Sequence, residues 1–248
     1  MYKRQVLARV QRQHVMSAGF GILLISISAM ALLAAQAGLS TLAGHLSWGT
    51  PVIVLVYAVS IRTLHGFRED EIEQFAEQEP DRYADHSLRY VAIRYAIAAA
   101  VVVAAGIALP YVSEDMALVM GWNQSFTGTL FTALSTSLPE LVVTLAALRI
   151  GAVDMAAGNV LGSNMFNILV LAVDDLVYTQ GSFYADISQG HLVSAFTAVA
   201  MTGIVVTAIY LRPRQRVLHI GSWASLALFG LFGLNTWLSF HLGAIGGH

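Results

Sequence analysis

Long apolar stretches separated by short polar ones run the length of the chain, and the size of the stretches decides the solvent. They fall near residues 16 to 36, 48 to 64, 91 to 112, 124 to 148, 153 to 173, 191 to 211 and 218 to 240. Each is long enough to cross, as a helix, a hydrocarbon core of about 30 Å, so the pattern predicts seven transmembrane helices. One sizeable polar segment, residues 66 to 89, carries Glu69, Asp70, Glu71, Glu73, Glu77, Glu79, Asp81 and Asp85. It is too short for a domain and reads as a solvated acidic loop, partly helical before Pro80, or as a regulatory patch for cations.

Composition points the same way. Hydrophobic residues make up 56% of the chain and charged ones 11%, with a mean hydropathy of +0.66, whereas soluble domains carry about 25% charged residues. The expected class is an all-α polytopic membrane protein whose surroundings are the lipid bilayer, with no nucleic-acid partner. Cysteine is absent, which excludes disulfides and thiolate metal sites. The first apolar run is too long, and lacks the small-residue cleavage site, for a removable signal peptide.

Charge sets the orientation. Lys3, Arg4, Arg9 and Arg12 precede span one; Arg62, Arg68, Arg82, Arg89 and Arg94 flank the acidic loop; Arg149 follows span four; Arg212, Arg214 and Arg216 precede span seven. All 13 basic residues thus fall on one side, the side that short loops rich in Lys and Arg mark as cytoplasmic. Glu114, Asp115, Asp174, Asp175 and Asp186 fall on the other. The N-terminus is expected inside and the C-terminus outside, in a bacterial or archaeal plasma membrane.

Two polar sequences interrupt the apolar spans, Ser135-Thr136-Ser137-Leu138-Pro139-Glu140 in span four and Gly158-Asn159-Val160-Leu161-Gly162-Ser163-Asn164-Met165-Phe166-Asn167 in span five. An ionisable side chain in hydrocarbon is costly and marks a functional site by default. On a helix, Thr136, Ser137 and Glu140 share a face. Pro139 clashes with the Ser135 carbonyl and cannot donate to it, which is expected to free carbonyls in this turn, Ala133 and Ser135 among them. In span five, Gly158 and Gly162 permit close approach or local unwinding, and Ser163 and Asn167 share a face. Carboxylate, hydroxyl and carbonyl oxygens are hard ligands suited to calcium or sodium. The competing structural readings are a capping box over Ser137 to Glu140 and small-residue helix packing at the glycines. Asp174 and Asp175 either draw cations to the outer mouth, cap a helix end or are solvated; Asp154 is expected to cap span five; the histidines read as interfacial or loop residues.

A weak internal repeat adds architecture. His14-Val15-Met16-Ser17-Ala18 and His191-Leu192-Val193-Ser194-Ala195 open spans one and six, and Ser47-Trp48 and Ser222-Trp223 open spans two and seven, at nearly one offset. Spans one and six enter the membrane from opposite sides, so the copies are inverted, as in many secondary transporters. The organisation expected is residues 1 to 65 as the last two helices of a first repeat, 66 to 89 as the loop, and 90 to 248 as a complete five-helix second repeat. Three helices would then be missing at the front. Met1-Tyr2-Lys3-Arg4-Gln5 is also what GTG TAT AAG AGA CAG encodes from a GTG start, DNA that resembles a transposon end used in sequencing libraries; the alternative is an ordinary basic N-terminus.

The residues from Gly128 to Leu169 resemble the second alpha-repeat of the sodium/calcium exchanger family, within the cation/calcium antiporter superfamily. Thr136-Ser137-Leu138-Pro139-Glu140 is similar to its TSxPE signature and Gly158-Asn159-Val160-Leu161-Gly162-Ser163-Asn164 to its GNxxGSN signature. The resemblance implies ten helices in two inverted halves, this chain holding the fourth to the tenth, and antiport of Ca2+ against Na+ by alternating access, with no organic cofactor. It implies that Glu140 is the central carboxylate shared by both ions and that Thr136 is a ligand through its carbonyl or hydroxyl. Ser137 would serve the inner sodium site, the Ala133 carbonyl and Ser163 hydroxyl the outer one, and Asn167 the central site. Ser135 departs from the usual Gly, and Asn167 is neutral where some second repeats carry Asp, which bears on proton and ion stoichiometry.

A divalent ion in low dielectric needs roughly two carboxylates to offset its desolvation, and only Glu140 stands at the midplane. The partner carboxylate is expected from the absent repeat, and this fragment alone is expected not to transport. A proton-driven cation antiporter and a non-transporting membrane subunit are the alternatives. An embedded hydrolase would need a His or Asp at the depth of these spans, and none is there, so the chain does not read as an enzyme. Sequencing the source DNA upstream of Met1 is expected to reveal three more spans with a second Pro-Glu motif. A genuine start codon and promoter there would leave a single-repeat protein that takes its second carboxylate from a partner or does not exchange ions.

Overall fold

A computed structural model describes residues 2–39, 41–75, 87–120, 133–211 and 222–245. Seven long helices occupy the seven expected places: α1 (Tyr2–Gln36), α2 (Gly49–Phe75), α3 (Leu88–Met120), α4 (Ala133–Arg149), α5 (Val153–Val177), α7 (Gly190–Leu211) and α8 (Trp223–Ile245). The expected spans at 124–132 and 218–221 extend outside the described residues, as do the acidic residues beyond Phe75 up to residue 86. Five helices are long and apolar enough to cross a membrane among the described residues, within Arg12–Gln36, Gly49–Gly66, Leu88–Met120, Val153–Val177 and Gly190–Leu211. The chain is an all-α polytopic membrane protein.

Three features differ from the sequence expectation. Thr41–Ala43 (β1) and Leu46–Ser47 (β2) form a small antiparallel hairpin between α1 and α2, in a segment too short for its own periodicity to register. A one-turn helix, α6 (Phe183–Asp186), lies between α5 and α7. Finally, α3 runs about two turns past its apolar run and carries Glu114 and Asp115 on the helix rather than in a loop; intrahelical hydrogen bonds continue wherever nothing breaks them, so helix length and hydrophobic length need not agree. The acidic segment after Gly66 is helical as far as Phe75.

The chain divides into two compact units, Met1–Phe67 with Ala147–His248, and Arg68–Ala146. In the first, α1 is the centre: it packs against α5, α7 and α6, and α7 packs against α8. Leu24 and Ile27 of α1, Ile53 of α2, and Met165 and Ala172 of α5 form one buried cluster, flanked by Phe20, Val56, Tyr57 and Ile168. Ala31, Leu32 and Ala35 form a second with Tyr184, under Trp48, Phe183 and Leu192. Small residues dominate the second cluster because helices in lipid gain from close van der Waals approach rather than from escaping water. In the second unit, α3 exposes apolar side chains on all sides, Ile97, Val101, Val102 and Ile107 among them, as a lipid-facing helix does.

The tightest approach in the first unit is at the start of α2. A Cβ added at Gly49 would stand 2.7 Å from Ala31 Cβ, and Ala31 is fully buried, so neither carbon can move aside. Gly49→Ala is expected to destabilise the protein by about 1–3 kcal/mol through overpacking, read as a lower thermal unfolding midpoint in detergent. Adding Ala31→Gly should recover much of the loss; two additive losses would show that the contact is not the cause.

Candidate cation-binding site

The two signature motifs lie on consecutive helices joined by a tight turn. Helix α4 ends where the Gly151 N–H reaches the Leu148 carbonyl at 3.1 Å and the Ala152 N–H reaches the Ala147 carbonyl at 2.9 Å. This termination needs a left-handed residue, and Gly151 supplies it with φ at 80°. Helix α5 follows at once from Val153.

On α4, Ala133, Thr136, Ser137 and Glu140 recur at helical spacing and share one face with Thr144. Thr136 and Ser137 are exposed, while Pro139, Glu140 and Thr144 are half-buried. The expected break is not there: α4 continues from Ala133 to Arg149 with Pro139 inside it. Proline takes the donor from one carbonyl, that of Ser135, and the rest of the ladder carries the helix through. The capping-box reading also falls, because Ser137 lies within the helix rather than at its N-terminus.

Helix α5 is likewise unbroken through Gly158 and Gly162. A Cβ at either glycine would meet nothing within 4 Å, so they serve neither a close packing contact nor an unwound turn in this structure. The helix is sharply two-faced. Leu161, Met165, Ala172 and Asp175 are buried on one side, with Met165 against Gly21 of α1. At 100° per residue, Asn159, Ser163 and Asn167 form a stripe on roughly the opposite side. Asn159 and Ser163 are half-buried and Asn167 is exposed. The Ser163 hydroxyl donates to the Val160 carbonyl at 3.0 Å, which leaves its oxygen lone pairs as acceptors.

The structure therefore brings Thr136, Ser137 and Glu140 together on one helical face, with Ala133 on the same face by register, and Ser163 and Asn167 together on another. Residues Ala133 to Glu140 belong to the Arg68–Ala146 unit and Ser163 and Asn167 to the other. Among the described residues no group of three or more His, Cys, Asp or Glu side chains could hold a metal.

Both ends of α5 are tied by side chains that sequence reading assigned otherwise. Asp154 stands in the first turn without capping it, and its Oδ1 lies 3.3 Å from His14 Nε2 of α1. His14 is buried, not a loop residue. Its only sequence signal was its place at the start of span one. At the other end, Asp175 is fully buried. Its Oδ2 accepts from the Ser47 N–H at 2.9 Å and from the Thr50 hydroxyl at 2.5 Å. Of the readings open to Asp174 and Asp175, Asp175 takes the helix-end role, at the N-terminus of α2, and Asp174 is exposed. Beyond α5, the Tyr178 hydroxyl donates to Asp186 Oδ2 at 2.8 Å, and that carboxylate holds the phenol pKa above its ordinary value. Burial pushes the Tyr184 phenol up as well, against a partial offset from Ser28.

The two-faced character of α5 makes a direct prediction. Met165→Ala, which empties a space beside α1, should cost about 2–5 kcal/mol, while Phe166→Ala, at a position 54% exposed, should change stability by less than about 0.5 kcal/mol. Thermal unfolding in detergent reads both; equal losses would mean that α5 is rotated from the orientation described.

Comparison with known proteins agrees with the motifs. The family model for sodium/calcium exchanger protein matches residues 90–241. The sodium/calcium exchanger MaX1 of Methanosarcina acetivorans is 45% identical over 71 residues, covering 27% of this chain and 20% of that protein. The human sodium/potassium/calcium exchanger 3 is 29% identical over 134 residues, 50% of this chain and 21% of the relative. A putative antiporter, CaxA, of Alkalimonas amylolytica is 43% identical over 58 residues, 23% and 18% of the two chains. The chain thus spans about a fifth of the length of these relatives. No solved structure matches. With more than half of its residues matched by the family model, the chain belongs to the sodium/calcium exchanger protein family.

Proposed function

We propose that this chain is the ion-binding part of a cation antiporter that exchanges Ca2+ for Na+ across a bacterial or archaeal plasma membrane. The observation that carries the reading is the face of α4, where a carboxylate, Glu140, stands one turn from the Thr136 and Ser137 oxygens in an otherwise apolar helix. Calcium and sodium favour such oxygen sets. The stripe of Asn159, Ser163 and Asn167 on α5 offers a second set of oxygens, and the open backbone beside Gly158 and Gly162 leaves room for an ion or another helix to approach. In this reading Glu140 is the central ligand. Thr136, Ser137, Asn167, Ser163 and the Ala133 carbonyl complete the sodium and calcium positions. In an unbroken α4 the Ala133 carbonyl lies within the helical ladder, so its role requires local unwinding when an ion binds.

Residues 90–248 would form one five-helix repeat and residues 1–65 the end of an inverted first one, with the N-terminus cytoplasmic and the C-terminus outside. The matched region, 90–241, supports that division, as does the packing of α1 against α7, the two helices that the repeat pairs. One carboxylate offsets only part of the desolvation of a divalent ion, so a second would come from the first repeat. The neutral Asn167 favours one further reading, in which protons rather than sodium drive transport.

Proteoliposomes loaded with sodium and diluted into sodium-free medium containing radiolabelled calcium test this. The chain joined to its three-helix upstream half should take up calcium, and the chain alone should not. Glu140→Gln in the joined protein should weaken calcium binding on the order of a hundredfold, about 3 kcal/mol for a lost charged partner. Uptake that follows a pH gradient and ignores sodium would replace sodium coupling with proton coupling. Unchanged cation binding in Glu140→Gln would make the chain a non-transporting subunit, and exchange by the isolated monomer would overturn the paired-carboxylate reading.

A further inference from the structure

Asp175 is an ionisable group buried in a membrane protein, eight residues beyond Asn167 on the same helix, and nothing in the proposed ion site uses it. A buried carboxylate is costly unless its charge is met by donors. Here the donors are the Ser47 N–H of β2 at 2.9 Å and the Thr50 hydroxyl in the first turn of α2 at 2.5 Å, both on Oδ2, while Oδ1 has no hydrogen-bond partner among the described residues. The neighbouring Gly49 N–H is already taken by Ser47 Oγ at 3.2 Å. The N-terminus of a helix carries unsatisfied N–H groups and a partial positive charge, which favours an anion and disfavours a cation. Asp175 therefore fastens α5 to the segment that leads into α2, and its two partners lie more than a hundred residues away in sequence.

Apolar packing decides which face of α5 turns inward but sets its height less sharply. Met165 and Ala172 meet α1 and α2, and the α1 surface beside Met165 is the side-chain-free Gly21; apolar contacts are non-directional and tolerate small shifts along the helix. Hydrogen bonds do not, because they weaken steeply with distance and angle. We propose that Asp175 is a positioning residue, whose bonds to Ser47 and Thr50 set the height and rotation of α5 and thereby aim the stripe of Asn167, Ser163 and Asn159, which runs from about 12 Å to about 24 Å away along the helix. The inference rests on reading that stripe as one wall of the ion site. Its test does not require ions.

The chain has no cysteine, so single cysteines report cleanly. In purified protein in detergent, Leu161→Cys, Ser163→Cys, Met165→Cys and Asn167→Cys are each labelled with a charged maleimide, with Leu24→Cys in α1 as the buried control. With Asp175 intact, cysteines at 163 and 167 should react about tenfold faster or more than those at 161 and 165, which are reached only through local opening. Asp175→Ala should narrow that ratio several-fold, most at the 165 and 167 pair nearest the fastener, while Leu24→Cys stays unreactive and helical content holds. Thr50→Val should act in the same direction, and Thr50→Ser, which keeps the hydroxyl, should restore the original ratio. Should Asp175→Ala fail to fold, Thr50→Val, close in shape to the native residue, decides the matter. An unchanged ratio in a folded variant, or a rise at Leu24→Cys equal to that on α5, would overturn the proposal. Loss of calcium binding in Glu140→Gln bears on the ion site alone, so the two readings fail separately.

Discussion

A membrane helix that carries oxygen ligands must be greasy toward one neighbour and polar toward another, and the described structure depends on how α5 meets that constraint. Met165 and Ala172 are buried against α1 and α2, and Leu161 is buried on the same side of the helix. Asn159, Ser163 and Asn167 occupy roughly the other side. Exchanging the faces would bury amides against Leu24 and Ile27 without donors, at a cost of about 1–3 kcal/mol for each unsatisfied group. The apolar residues inside the GNVLGSNMFN signature therefore matter as much as the polar ones: Leu161 and Met165 hold the helix so that the polar stripe faces away from the core.

The continuity of α4 and α5 bears on how such helices bind ions. Polar residues and a proline in mid-span suggest broken helices, in which freed carbonyls become ligands. In this structure Pro139 and the two glycines are accommodated without a break. A proline inside a helix removes one hydrogen bond, and the remaining ladder outweighs that loss unless something else takes up the carbonyls. An ion is such a partner. In the proposed reading, the helical α4 described and a locally unwound α4 around a bound cation would be two states of one segment, and Pro139, which has no N–H to donate, would leave one bond fewer to break between them.

Much of this architecture is legible in the sequence, for identifiable reasons. The seven helices are legible because about twenty apolar residues in a row leave few alternatives, and the faces of α4 are legible because Thr136, Ser137 and Glu140 need only helical geometry to align. What the sequence hides is non-local or governed by hydrogen bonding beyond the apolar run. The hairpin at Thr41–Ala43 and Leu46–Ser47 is too short to carry a period. The extension of α3 through Glu114 and Asp115 ignores hydropathy. The ties of His14 to Asp154 and of Asp175 to Ser47 and Thr50 join residues far apart in the chain, and no spacing rule reaches that far. The sequence leaves Asp174 and Asp175 alike open to a role at the outer mouth, at a helix end or in solvent; burial separates the two.

Asp175 and Glu140 show how context assigns different work to similar groups. Both are carboxylates on helices of this membrane protein, and charge alone would make either a cation ligand. At Asp175 one oxygen accepts from the Ser47 N–H of β2 and from the Thr50 hydroxyl in the first turn of α2, so that oxygen is already engaged in joining two segments of the chain. Glu140 lies among oxygens, with Thr136 and Ser137 on its face and a proline-relieved carbonyl one turn before it. Oxygens of this kind are the hard ligands that calcium and sodium favour. In the proposed reading, the α4 face is where positive charge is stabilised, while Asp175 is spent on joining α5 to the start of α2.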